Sequence, residues 1–128
     1  MTIISKKLAS YPETLAVRLG QVRQLIRGIA ASNKSIGMIE ESLKWGQISF
    51  ATLRPKSGTP MRIDGDVDAG TYSLFVPCST NLIEGFRTVH PDLFNYYGNR
   101  EIRMDLNAPL PKAELSLFIA ASLRYKLK

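Results

Sequence analysis

Side chains that could carry out chemistry are few in this sequence of 128 residues. It contains one histidine, His90, and one cysteine, Cys78, so Cys and His ligands from this chain alone cannot assemble a zinc site. No serine lies in a Gly-x-Ser-x-Gly elbow, and neither of the common glycine-rich nucleotide signatures occurs. We interpret His90, which precedes Pro91, as a helix C-cap or surface residue and Cys78 as a buried, inert thiol. The residues predict no enzyme activity and no cofactor.

The sharpest acidic cluster comprises Asp64, Asp66 and Asp68. Alternating carboxylates are similar to the start of a calcium loop, where they converge on one hard cation. However, Ala69 stands where that loop needs glycine, and Phe75 stands where its bidentate glutamate belongs. The pattern therefore favours a solvated hairpin turn, and we predict no metal site.

The only tryptophan, Trp45, lies in the stretch from Leu43 to Phe50. Two roles remain open for it. It can fill the core between helices and sheet, since large aromatic side chains bury much apolar area, or it can form the wall of a small pocket. In the pocket alternative, Trp45, Gln47 and Phe50 are the candidate binding residues, and Gln47 or a backbone carbonyl accepts the indole N–H.

Hydrophobic spacing defines the elements that must position these residues. An apolar stripe with a period of three to four residues predicts a helix that Ser10 caps and that ends near Ala31, with Arg23 and Arg27 on its solvated flank. A short second helix is predicted from about Ile36 to Lys44. The remaining elements are strands over 48–54, 61–63 and 71–78, a helix over 82–89, a hairpin of 94–97 with 101–106, and a last helix after Pro111.

The predicted order is α-α-β-β-β-α-β-β-α. Tight turns join most of the strands, which argues for an antiparallel sheet rather than a doubly wound one. We therefore predict an α+β fold with a mostly antiparallel sheet of about five strands. Helices at both chain ends pack on one face of it, and residues 1–128 form a single domain.

The overall charge is basic, with a formal net charge of +6 and a pI near 9.7. This charge raises the alternative of a polyanion or nucleic-acid partner, although the Lys and Arg residues are scattered and form no long block. No apolar run reaches the length of a membrane helix, and the first residues lack the features of a signal peptide. With a single cysteine, these features predict a cytoplasmic protein.

Four segments in order resemble the YdhG-like family, a group of small bacterial proteins that is mostly uncharacterised. The Trp-Gly signature lies within Ile39 to Phe50, after a helix that begins at Tyr11-Pro12. The strand from Tyr72 to Val76 follows, and the segment from Gly98 to Met104, with Pro109-Leu110-Pro111 and a closing helix, completes the likeness over about residues 8–126. The resemblance implies a fold similar to frataxin.

Some members of that family are described as intracellular iron chaperones, so the resemblance names iron as a cargo. Frataxin-like iron sites use acidic ridges, whereas the first predicted helix carries only Glu13 against Arg18, Arg23 and Arg27. We therefore predict a non-enzymatic accessory or binding domain for an unidentified protein or small-molecule partner, with iron delivery as its weakly supported version. The alternative is a basic polyanion- or nucleic-acid-binding domain.

Overall fold

A computed structural model describes residues 2–127, so Met1 and the last residue of the basic tail, Lys128, lie outside it. Within this range the chain forms four helices and one antiparallel sheet of six strands in the order β1-β2-β3-β4-β6-β5. The predicted α+β class is confirmed, with one strand more than expected. The elements are α1 (Ile3–Ala9), α2 (Glu13–Ala31), β1 (Met38–Lys44), β2 (Gln47–Leu53), β3 (Met61–Asp66), β4 (Thr71–Phe75), α3 (Leu82–Val89), β5 (Asn95–Tyr97), β6 (Glu101–Asp105) and α4 (Lys112–Leu123).

The additional strand is β1, and the helix predicted from Ile36 to Lys44 is wrong. This segment pairs along its length with β2, from Met38 opposite Leu53 to Lys44 opposite Gln47. Its apolar residues suit helical spacing, and Glu41 interrupts the alternation that marks a strand. Pairing with β2 through a two-residue turn outweighs that weak local preference.

The N-terminal region also differs from expectation, because α1 precedes the predicted first helix. Thr2 caps α1 by accepting a hydrogen bond from the Ser5 amide at 3.1 Å. Ser10 ends α1 rather than capping α2, and its hydroxyl donates to the Lys7 carbonyl at 2.6 Å. Helix α2 begins directly after Pro12, as the missing N–H of proline allows. Among residues 2–127, no helix has both the length and the apolar character needed to cross a bilayer.

The core lies between the helices and one face of the sheet. In-register pairing places Ile48, Ile63, Leu74 and Ile102 side by side on that face, and all four are fully buried. The apolar stripe predicted for the long helix is buried on α2 (Leu15, Leu19, Val22, Ile26), and α4 buries Leu115, Phe118, Ile119, Ser122 and Leu123.

Close contact between α2 and the sheet depends on Gly65 in β3. A Cβ atom at this position would lie 2.5 Å from Cδ1 of Leu15, so a larger residue would force the Leu15 side chain to shift. The contact places α2 on the face that carries Ile63, since residues 63 and 65 alternate with Asp64 along β3.

A charge cluster ties α2 to the edge strand β1, so the expectation of a solvated flank is wrong for Arg23, whereas Arg27 is exposed. Arg23 Nε lies 2.5 Å from Glu41 Oε2, and Arg27 Nη1 lies 2.7 Å from Glu41 Oε1. The hydrogen bond from Arg23 lowers the pKa of Glu41 and outweighs the effect of burial, with further help from the charges of both arginines. Glu41 lies on the core side of β1, where a charge is unfavourable unless it is paired. The guanidinium groups of Arg23 and Arg27 neutralise it.

A buried hydroxyl organises the loop between β2 and β3. Ser57 accepts a hydrogen bond from the Gly37 amide at 3.1 Å and donates to the Leu123 carbonyl at 2.8 Å. Its own carbonyl accepts from the Lys126 amide at 2.8 Å. One side chain thereby joins the start of β1, the loop and the C-terminal end of α4.

Replacing Ser57 by alanine leaves the Gly37 amide and the Leu123 carbonyl buried without their partner. Because an unsatisfied buried polar group costs about 1–3 kcal/mol, we expect the free energy of unfolding to fall by about that amount. Urea unfolding followed by circular dichroism measures the change, with Ser79→Ala at an exposed position as the control. An equal, near-zero effect of both substitutions contradicts the role of Ser57.

Glu41→Gln removes the charge that neutralises Arg23 and Arg27. The pKa of Glu41 is lowered from 4.5 in the folded state, so its stabilisation is fully present above about pH 4.5 and is lost as the pH falls through the folded-state pKa. We expect a loss of about 1–2 kcal/mol at pH 7, between the ranges of exposed and buried pairs. The difference from wild type should shrink as the pH drops below 4.5. Unfolding curves from pH 3 to 7, with the exposed Asp68→Asn as control, test this; a constant difference would refute it.

Candidate functional site

The β1–β2 hairpin ends in a two-residue turn formed by Trp45 and Gly46. Both residues have positive φ angles, 55° and 76°. Positive φ at both central residues is the feature of a type I′ turn, which suits the right-handed twist of the flanking strands. Gly46 adopts this conformation without a steric penalty, whereas Trp45 carries a large side chain in a left-handed position.

Trp45 is 88% exposed, so its predicted alternative as a core residue is wrong. Phe50 is 1% exposed and lies on the core side of β2. Gln47 Nε2 donates instead to Asp64 Oδ2 at 3.3 Å. The structure therefore does not bring Trp45, Gln47 and Phe50 together around one cavity. The reason is that residues 38–44 form a strand, so residues 45 and 46 become the exposed turn of a hairpin.

Tryptophan at position 45 strains the backbone and contributes almost no stabilisation through burial. A non-glycine residue in the left-handed region costs on the order of 1 kcal/mol, and the exposed indole recovers almost nothing by burial. Strained residues of this kind concentrate at binding sites and switches, which makes an observed outlier a reason to look for a function. Trp45 is the residue to which this argument applies most directly.

Asp64 anchors the sheet beside this hairpin. Its Oδ1 accepts a hydrogen bond of 2.7 Å from the hydroxyl of Tyr11, just before α2, in addition to the bond from Gln47. Burial, followed by this hydrogen bond and the negative charge of Asp64, raises the pKa of Tyr11 well above its usual value. The bonds connect the segment just before α2 to β2 and β3, so Trp45 extends from a firmly supported hairpin.

The acidic cluster forms two unrelated arrangements rather than a cation site. Whereas Asp64 is held by Tyr11 and Gln47, Asp66 Oδ1 accepts from the amides of Asp68 at 3.0 Å and Ala69 at 3.3 Å. This is an Asx turn that closes the β3–β4 hairpin, as the sequence pattern predicts. In residues 2–127, no three or more His, Cys, Asp or Glu side chains are grouped so that they could hold a metal ion.

A polar cleft of about 260 Å³ lies on the face of the sheet opposite the helices. Within it, Glu101 Oε2 accepts from the Ser73 hydroxyl at 2.7 Å and from Arg103 Nε at 3.0 Å. Burial acts to raise the pKa of Glu101, but the hydrogen bonds from Arg103 and Ser73 outweigh it and lower the pKa. The Arg103 guanidinium also lies 3.7 Å from the centre of the Tyr97 ring. These groups satisfy one another, so none is poised as an acid, base or nucleophile.

The open face of the sheet is not basic, despite the net charge of the chain. Alternation along the paired strands places three cations and five carboxylates on this face. They are Lys44, Arg62 and Arg103, and Glu40, Asp64, Asp66, Glu101 and Asp105. The remaining positive charge is distributed over helices and loops, and the open face carries no basic platform for nucleic acid.

A broad groove of about 910 Å³ runs along the outer side of α2. Leu8 and Leu110 line its sides, and Gly20, Gln24 and Gly28 lie along it. The glycines leave open space, since a Cβ atom at either would meet nothing within 4 Å. The groove can receive apolar surface, but its lining contains no pair of groups suited to acid–base or nucleophilic chemistry.

His90 lies where the sequence predicts it, whereas Cys78 does not. His90 is the C-cap of α3, as predicted, and its amide donates to the Phe86 carbonyl at 2.6 Å. Cys78 is exposed, so the expectation of a buried thiol is wrong. The chain continues after β4 along the surface toward α3, which leaves the thiol outside the core.

Sequence reasoning missed the exposed hairpin tip, although a signal for it was present. An X-Gly pair lies between two seven-residue segments that can each form a strand, which is the spacing of a two-residue hairpin. The tryptophan at position X obscured this signal, because asparagine or aspartate is the usual residue there. Searches against known protein families, curated proteins and solved structures found no match to the chain.

Trp45→Asn places the preferred Asn-Gly pair in the turn. We expect the free energy of unfolding to stay unchanged or rise by up to about 1 kcal/mol, because asparagine tolerates the left-handed conformation. Phe50→Ala, a substitution in the core, should lower it by about 3–5 kcal/mol. Urea unfolding followed by far-UV circular dichroism distinguishes them. In the wild type, acrylamide should quench the tryptophan emission freely, and a protected, blue-shifted emission would contradict the exposed position.

Proposed function

We propose that this protein is a non-enzymatic accessory or binding domain that recognises a partner protein through the hairpin tip carrying Trp45. The observation that carries the proposal is the exposed indole in a left-handed turn position. The fold gains neither burial nor a relaxed backbone from tryptophan there, which supports a role in a contact made outside the chain.

A protein is the partner that best matches this tip. Tryptophan is the residue type most enriched at binding hot spots, because it brings a large amphipathic surface with only two side-chain rotations to restrict. The strands behind it are held by Asp64 and by the Glu41 cluster, so little order must be gained on binding. A small molecule would need a concave site, and Trp45 stands out from the surface with 88% of its area exposed.

The resemblance to the YdhG-like family supports an accessory role in the cytoplasm, and the exposed free thiol of Cys78 suits a reducing compartment. Iron delivery is the specific version that the resemblance names. The arrangement of carboxylates in residues 2–127 offers no support for it. Anaerobic titration with ferrous iron tests this version directly, and the absence of saturable binding tighter than about 100 μM removes it.

Nucleic-acid binding remains the alternative suggested by the charge of +6. The excess of carboxylates on the open sheet face counts against it. A gel-shift series at increasing salt distinguishes this alternative, since phosphate contacts weaken steeply as salt rises. Binding that depends on salt and not on Trp45 would favour it over the proposal.

The proposal is tested with three immobilised forms of the protein: wild type, Trp45→Asn and Val89→Thr. Val89 is an apolar residue on α3 that is 70% exposed, so its replacement controls for the general loss of exposed apolar surface. Proteins retained by wild type and Val89→Thr but not by Trp45→Asn are identified by mass spectrometry and purified.

The affinity of each purified partner is then measured by titration. Loss of a hot-spot tryptophan typically exceeds 2 kcal/mol, so we expect Trp45→Asn to weaken binding by about 30-fold or more and Val89→Thr to leave it unchanged. The proposal is overturned if every purified partner binds all three forms with equal affinity. It is also overturned if no purified partner depends on Trp45 for binding.

A further inference from the structure

Strand β1 is an edge of the sheet and presents a free row of backbone groups. It pairs with β2 on one side only. The two-residue turn makes Lys44 and Gln47 a hydrogen-bonded pair, and such pairs alternate along an antiparallel ladder. The backbone groups of Ile39, Glu41 and Leu43 therefore point away from β2. Among residues 2–127, no loop or turn forms a backbone hydrogen bond with them.

This edge lacks two of the features that prevent strands from pairing with other chains. Its seven residues follow β2 in unbroken register, so there is no bulge, and the segment contains no proline. Its open-face side chains are Met38, Glu40, Ser42 and Lys44, and Met38 is 64% exposed. Its charged residues are Glu40 and Lys44 on the open face and Glu41, paired with arginines of α2, on the core side.

We propose that two copies of this chain pair through β1 in antiparallel orientation around a two-fold axis at Ser42. In this register Glu40 of each copy lies opposite Lys44 of the other, which gives two symmetric ion pairs on the open face. Glu41 and Leu43 then form hydrogen-bonded pairs across the axis, as the outward direction of their backbone groups requires. The result is one continuous sheet of twelve strands.

The side-chain charges select this register over its neighbours. An axis at Glu41 would place the two copies of that carboxylate opposite each other on the core side. An axis at Glu40 would do the same on the open face. Like charges directly opposite each other are destabilising, which disfavours the axes at Glu41 and Glu40. Of the three axes, only the one at Ser42 places opposite charges across from each other. Strand pairing alone buries a limited area, so we expect a weak dimer in the micromolar range.

This inference goes beyond the proposed function and does not depend on it. The pairing uses the backbone of β1 and the side chains of Glu40 and Lys44, whereas partner recognition is assigned to Trp45. In this register Trp45 lies opposite Ile39 of the other copy, so the dimer is tested with charge reversals that retain Trp45, and failure of either proposal leaves the other open to its own test.

Charge reversal tests the dimer with side chains that do not contribute to the core. Glu40→Lys and Lys44→Glu each place like charges opposite one another twice, so each should weaken self-association by about tenfold or more. The double substitution Glu40→Lys/Lys44→Glu restores complementary pairs and should restore the dimer. An equimolar mixture of the two single variants should form heterodimers, because each then supplies the charge that the other needs.

Analytical ultracentrifugation from about 1 to about 500 μM measures these equilibria across the range of weak association. Circular dichroism verifies that each variant is folded. A wild-type dimer that both single reversals weaken, and that the double variant and the mixture recover, supports the inference. A wild type that stays monomeric at every concentration overturns it. So does a dimer that is insensitive to the single reversals, or one that the double variant fails to restore.

Discussion

The structure depends on one constraint: helices cover only one face of an antiparallel sheet. Burial of apolar surface requires the strands to place their apolar residues on that face, and Ile48, Ile63, Leu74 and Ile102 form a row there. The same constraint explains Gly65, which lets α2 approach closely, and Ser57, which satisfies buried backbone groups where α4 meets the loop. A charge on the covered side, such as Glu41, persists only because α2 supplies guanidinium groups to neutralise it.

The uncovered face and the sheet edges are where interactions with other molecules become available. On the open face, Glu101, Ser73 and Arg103 satisfy one another, and Asp64 is held by Tyr11 and Gln47. Groups that are mutually satisfied contribute to stability and specificity but are poor candidates for proton transfer or nucleophilic attack. The hairpin tip and the edge strand differ from this face, because a large side chain at one and backbone groups at the other lack partners within the described residues.

Binding rather than catalysis is consistent with both features. An exposed tryptophan and a free strand edge offer apolar surface and backbone hydrogen bonds, which are the two interactions that most protein–protein contacts use. Both features lie on the same hairpin, which the Glu41 cluster joins to α2.

Local apolar spacing was enough to predict the fold class, the long helix α2, the last helix α4 and most strand positions, because it reports directly which side of an element is buried. The sequence also predicted the role of His90 and the turn at Asp66, which depend on residues close in the chain. Residues 38–44 form a strand because pairing with β2 in the folded protein outweighs their weak local preference for a helix. Likewise, Arg23 meets Glu41 eighteen positions away along the chain, and the exposure of Trp45 and Cys78 depends on which segments cover them. Such contacts join distant residues, and no local spacing encodes them.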